Sequence, residues 1–86
     1  MDSNLDHPCA DHPCYISSKE ICQIDKYKST WILYDVTYKP APLYEGGRFY
    51  ELYRDGGFVE NTEYRQNFSV MKWITTIIDN ECGSDN

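Results

Sequence analysis

The residues best suited to chemistry lie close together in the first quarter of the chain. Asp6-His7-Pro8-Cys9 is repeated as Asp11-His12-Pro13-Cys14, and Cys22 follows shortly after. The fourth cysteine, Cys82, is distant in sequence. Imidazole and thiolate are the usual ligands of structural zinc, which takes four of them in a tetrahedron and can add directly to the folding free energy of a small domain. The metal candidates are therefore His7, Cys9, His12, Cys14, Cys22 and Cys82. Their spacing, H-x-C-x2-H-x-C, lacks the paired C-x2-C knuckles of a standard finger. An even number of cysteines also admits two disulfides, which a reducing cytosol disfavours. In a third reading Cys22 and Cys82 are small apolar residues at helix contacts, while Cys9 and Cys14 lie in a mobile tail. All three readings stand at this level.

Catalysis finds less support. A Cys–His nucleophile pair needs the base within hydrogen-bond reach and a third group to orient it. His7 and His12 are near cysteines only in sequence. The motifs G-x-S-x-G, H-E-x-x-H, G-x-x-x-x-G-K-[ST] and G-x-G-x-x-G are absent, and Glu60 and Glu63 read as solvated carboxylates. The expectation is a protein that is no enzyme and holds no cofactor, with structural zinc as the alternative.

Charge narrows the class of partner. The net charge is −6 over 86 residues. Residues 17–78 balance eight acids against all eight bases, so the excess comes from Asp2, Asp6 and Asp11 at one end and Asp79, Glu81 and Asp85 at the other. Direct nucleic-acid binders carry a basic patch or stripe, and none is visible. Nucleic-acid binding through aromatic stacking is a further alternative without the groove that usually accompanies it. The start of the chain has neither a basic cluster nor an apolar run of the signal-peptide kind. The longest strongly apolar segment, Val70 to Ile78, is too short to span a bilayer. These features predict a cytoplasmic protein with no membrane partner.

The elements that must position these residues follow from periodicity. Residues 1–16 form an Asp/His/Pro/Cys-rich segment in which each Pro biases the preceding His toward extended backbone. Ser17-x-x-Glu20 has the form of a capping box and predicts a short helix near 18–25. From Thr30, Ile32, Tyr34, Val36 and Tyr38 alternate with Trp31, Leu33, Asp35 and Thr37, a period of two that predicts a strand over 30–39. The Pro- and Gly-rich run 40–47 reads as a loop. Arg48 to Arg54 and Phe58 to about Arg65 read as two more strands, joined by a tight turn at Asp55-Gly56-Gly57. Asn67 or Ser69 then caps a helix running to about Glu81, with Phe68, Val70, Met71, Ile74, Ile77 and Ile78 on one face and Trp73 at its edge. Gly83 is placed just past the helix end, and 84–86 is a frayed tail.

The expected fold is α+β: a three-stranded antiparallel β-meander with a C-terminal amphipathic helix on one face, preceded by the short helix, in a single small domain over 17–83. This element order resembles that of double-stranded RNA-binding domains. Those domains cluster Lys at the start of their last helix, whereas this helix begins Asn67-Phe-Ser-Val-Met-Lys72, so no family follows from the order. Eight Tyr, three Phe and two Trp supply much of the area such a chain can bury. One helix covers one sheet face, so the other would expose aromatic rings unless the N-terminal segment or a partner covers it. Tyr34, Tyr38, Tyr44, Glu45, Arg48 and Tyr53 are the partner-binding candidates, because Tyr and Arg are enriched at interaction hot spots. The functional expectation is a small acidic protein of inhibitor or adaptor type that binds another protein, a homodimer also being compatible with an open strand edge. By composition it is similar to immunity proteins and to phage host-takeover or anti-defence factors.

Overall fold

A computed structural model describes residues 7–82. The expected positions of Asp2, Asp6, Gly83, Asp85 and the tail 84–86 lie outside the described residues. Four strands, β1 (Tyr15–Lys26), β2 (Ser29–Tyr38), β3 (Gly47–Arg54) and β4 (Gly57–Glu63), form one antiparallel sheet in sequence order. Helix α1 (Val70–Cys82) follows.

The α+β class, the antiparallel meander and the C-terminal helix are as expected; the strand count is not. The segment expected to form a short helix near 18–25 is the middle of β1, the longest strand. It pairs with β2 from Tyr15↔Tyr38 to Lys26↔Ser29 with register shifts that leave Ile16 and Ile21 as extra residues. Each bulge reverses which side of the sheet the following residues face. A simple alternation is thereby hidden, and the capping-box pattern is overridden by ladder pairing with a strand that is buried on both faces. The β1–β2 hairpin closes at Tyr27-Lys28, both in left-handed backbone (φ 55° and 64°). Asp55 and Gly56 (φ 49° and 87°) do the same between β3 and β4. Two positive φ angles in a two-residue loop match the twist of the flanking strands.

The two sheet faces are built from different materials. On one, Trp31 and Leu33 of β2 meet Tyr50 and Leu52 of β3 beneath Ile74 and Ile78 of α1. Cys22, Ile24, Trp73, Ile77 and Cys82 border this cluster. Ser69 accepts the first helical bond, from the Trp73 N–H, which makes it the capping position. Two contacts from the β1–β2 hairpin pin the helix: Lys26 and the Tyr27 hydroxyl both donate to Asp79 Oδ1 at 3.1 Å. The opposite face carries Tyr34, Val36 and Tyr38 of β2 with Phe49, Glu51 and Tyr53 of β3. Residues 7–14 lie across it as a strap. The helix and the strap therefore cover one face each.

The β2–β3 connection is held by its own tight turn, in which Ala41 and Tyr44 exchange both backbone bonds (2.7 and 3.0 Å). Gly46 lets the chain return to the sheet: at φ 70°, a Cβ there would stand 2.7 Å from the Lys39 carbonyl carbon and the Pro40 nitrogen. Gly56 is also left-handed, but a Cβ there would meet nothing within 4 Å. Urea unfolding is expected to show Gly56→Ala costing about 1 kcal/mol, the conformational term alone. Gly46→Ala adds a backbone clash and should cost at least about 2–3 kcal/mol. Equal costs would contradict this description of the loop.

Candidate functional site

Both copies of the His-Pro-Cys repeat fold into the same small device. In each, the cysteine N–H donates to the histidine Nδ1 two residues earlier, at 2.9 Å for Cys9 to His7 and 3.0 Å for Cys14 to His12. The His7 carbonyl accepts from the Ala10 N–H and the His12 carbonyl from the Tyr15 N–H, so each copy is a β-turn with Pro in its second position. Proline's fixed φ suits that position. The repeat is thus a repeat of turns.

The first copy is anchored to a buried carboxylate. Glu51 is only 5% exposed and His7 only 3%. His7 Nε2 is 2.9 Å from Glu51 Oε1. The Tyr53 hydroxyl donates to the same oxygen and the Tyr38 hydroxyl to Oε2, each at 3.0 Å. These contacts determine where the protons are. Nδ1 of His7 is an acceptor, so the ring proton sits on Nε2 and is donated to Glu51. Tyr53 has already given its proton to Glu51, so its contact with Cys9 Sγ at 3.4 Å is a donation from the thiol. The bonds close a ring: Cys9 S–H to Tyr53, Tyr53 to Glu51, His7 to Glu51, and the Cys9 N–H to His7. Residues i and i+2 of the strap thereby match residues i and i+2 of β3. The described residues contain no buried side-chain polar atom without a partner.

Three tyrosine rings enclose the imidazole. Its centroid is 4.7 Å from that of Tyr34, 5.4 Å from Tyr53 and 5.6 Å from Tyr15. Burial first, and the Glu51 carboxylate second, push the Tyr38 phenol above its ordinary value. Tyr53 is raised by burial, then by its bond with Cys9 and by the Glu51 charge. The second strap copy is looser. His12 is exposed and lies against Tyr38 and Tyr44, whereas Cys14 is buried beside Val36 and Tyr38.

The metal candidates are dispersed. Among the described residues no three His, Cys, Asp or Glu side chains stand together as a metal site, and Cys9, Cys14, Cys22 and Cys82 are free thiols. Cys22 and Cys82 border the helix-side core, and Cys22 Sγ lies 3.9 Å from Met71 Sδ. Cys9 and Cys14 belong to the packed strap instead of a loose tail. A His–carboxylate pair serves as a general base only when its second ring nitrogen faces the nucleophile. Here that nitrogen is occupied by the Cys9 amide.

The partner-binding candidates divide. Tyr34, Tyr38 and Tyr53 are buried under the strap, so they form no open surface in this state. Arg48 is engaged within the chain: Nε and Nη2 bond both Asp35 oxygens (2.9 and 2.6 Å), and its guanidinium lies 3.7 Å from the Tyr64 ring centroid. Tyr44 and Glu45 remain exposed, and Leu43 between Pro42 and Tyr44 is wholly exposed at 101%. Surface hollows of about 360 Å³ (residues 65–68) and 400 Å³ (residues 25–30) are each lined by one run of chain, away from the His7–Glu51 cluster. No described helix is long and apolar enough to cross a membrane.

Sequence reasoning missed Glu51, which it counted among the balanced charges of the middle. A signal was present: the period of two over Phe49, Glu51 and Tyr53 sets a carboxylate between two aromatics on one face. Comparison with family models, curated proteins and solved structures finds no match.

Two outcomes follow from the cluster. Glu51→Gln turns an amide donor toward groups that already donate and should cost about 2–3 kcal/mol in urea unfolding, against no more than about 0.5 kcal/mol for exposed Glu63→Gln. Tyr38 and Tyr53 bind their phenolic protons more tightly folded than unfolded, so their contribution is complete below the unfolded value of about 10 and is lost as pH rises beyond it. Absorbance at 295 nm should therefore show these two tyrosinates forming only as the protein unfolds in alkali. Full tyrosine titration while the far-UV circular dichroism stays native would contradict this.

Proposed function

We propose that this chain acts by binding another protein, in the manner of an inhibitor or adaptor, with the 42–45 loop as its contact. The observation that carries this reading is Leu43, a fully exposed aliphatic side chain on a turn whose two ends are hydrogen-bonded to each other. Pro42 fixes the backbone before it, and Gly46 seats the loop against Lys39 and Pro40 behind it. Tyr44, half turned to solvent, packs its ring on Tyr38 and His12. An apolar tip on a rigid support loses little conformational entropy when it enters a partner's pocket, which is how preorganisation raises affinity. Aromatic residues beside such a tip are typical anchors. The neutral middle of the chain supports a protein partner over nucleic acid, because phosphate binding relies on clustered Lys and Arg.

Leu43 touches little of its own chain, so Leu43→Asp should leave the melting temperature within about 2 °C. The same substitution should reduce recovery of the partner from source-cell extract at least tenfold relative to wild type. Lys72→Asp, on the exposed side of α1, should not. Identical sets of retained proteins for wild type and Leu43→Asp would refute the proposal.

A further inference from the structure

We propose that the face beneath the strap is a binding site for a basic side chain of a partner, filled in this state by the chain's own His7. The His7 ring stands within 4.7–5.6 Å of three tyrosine centroids, inside the range over which a cation interacts with an aromatic ring (about 6 Å). A carboxylate forms the floor of the enclosure and accepts the ring N–H at 2.9 Å. Tyrosine rings around a carboxylate are complementary to a lysine or arginine head, whose N–H groups would meet Glu51 while its charge lies among the rings.

Two observations set this enclosure apart from ordinary core. The helix-side cluster buries Trp31, Leu33, Leu52, Ile74 and Ile78 together with Tyr50, so its polar tips are one phenol and one indole N–H that bonds the Lys26 carbonyl, and it holds no charged group. Beneath the strap Val36 is buried too, but its neighbours Tyr34, Tyr38, Tyr53 and Glu51 each carry a polar tip that water can satisfy on uncovering. A buried charge network is seldom more stable than an apolar replacement of the same volume, so stability alone gives little reason for this composition. The exposed His12 makes the same turn with the same Nδ1 bond. The turn itself therefore does not require a buried histidine, and the burial of His7 comes from the enclosure. Residues 7–13 contribute no ladder bond to the sheet, whose ladder ends just beyond the Tyr15↔Tyr38 pair, where the Lys39 N–H donates to the Cys14 carbonyl at 2.7 Å. Lifting them leaves all four strands paired.

The test uses the purified protein and no protein partner, so its outcome is independent of the Leu43 reading. His7→Ala removes the occupant. Methylammonium and imidazole, added at constant ionic strength and pH, are expected to raise the lowered melting temperature saturably and to shift the Tyr34 and Tyr53 ring resonances. Methanol, the neutral near-isostere of methylammonium, should do neither, and Glu51→Gln in the same background should abolish the response. Absence of saturation, or an equal effect of methanol, would overturn the proposal. Should His7→Ala fail to fold, His7→Lys and His7→Met decide, since both lose the Cys9 amide bond and differ chiefly in charge. Lys melting above Met, with the order reversed by Glu51→Gln, is the expected result. Met melting at or above Lys while Glu51 is intact would refute the site.

Discussion

A carboxylate in the middle of a sheet face is the constraint around which the second half of this fold is arranged. Glu51 sits on a central strand, where leaving it uncovered by donors would cost several kcal/mol. Three donors converge on it, one from β2, one from β3 and one from the strap. The imidazole reaches it through Nε2, because its other nitrogen is committed to the Cys9 amide. The proline turn brings those two atoms together. What looked in sequence like a ligand cluster is, in the fold, a set of turn-forming and donor residues aimed at one acid.

This arrangement also answers the problem of size. A chain of 86 residues has a thin core, and a single helix over a twisted sheet leaves half the sheet in water. The two covers differ in kind. The helix contributes apolar area and is tethered to the β1–β2 hairpin through Asp79. The strap adds Cys14 to an apolar cluster with Val36 and Tyr38 and is also held by directional bonds, reinforced by ring contacts with Tyr15, Tyr34 and Tyr53. A cover held by directional bonds to groups that water can also satisfy is easier to exchange for a partner than one held by packing. Much of the aromatic surplus seen in the composition is thus absorbed internally, although Tyr27, Tyr44, Phe58 and Tyr64 stay exposed. Among the described residues Leu43 on its braced loop is the most exposed of the large apolar side chains.

Much of the fold was legible in the sequence, and the failures have identifiable causes. β2 announced itself through uninterrupted alternation, and the β3–β4 turn through Asp55-Gly56. The helix was legible because its apolar residues recur at helical spacing. β1 was hidden because Ile16 and Ile21 are bulged out, which breaks the period of two at both places. Its hairpin was hidden because Tyr27-Lys28 adopts a conformation usually taken by Asn and Gly. The site was half legible. The repeated His-Pro-Cys stood out, but its partner was marked only by Phe49 and Tyr53 two residues to either side, which does not say whether that face is covered. The pairing of Tyr34 with Glu51 across β2 and β3, unknowable without register, completes the ring of aromatics around that acid.

The bond between the strap and Glu51 holds the second face of the sheet, and long-range ¹H–¹⁵N correlation spectroscopy of His7 tests it most directly. The structure predicts a single tautomer with its proton on Nε2, that proton slow to exchange with water and showing cross-relaxation to the Tyr34 and Tyr53 rings. Averaged tautomers, a rapidly exchanging ring proton and no contact with either tyrosine would show that the strap does not hold the second face of the sheet.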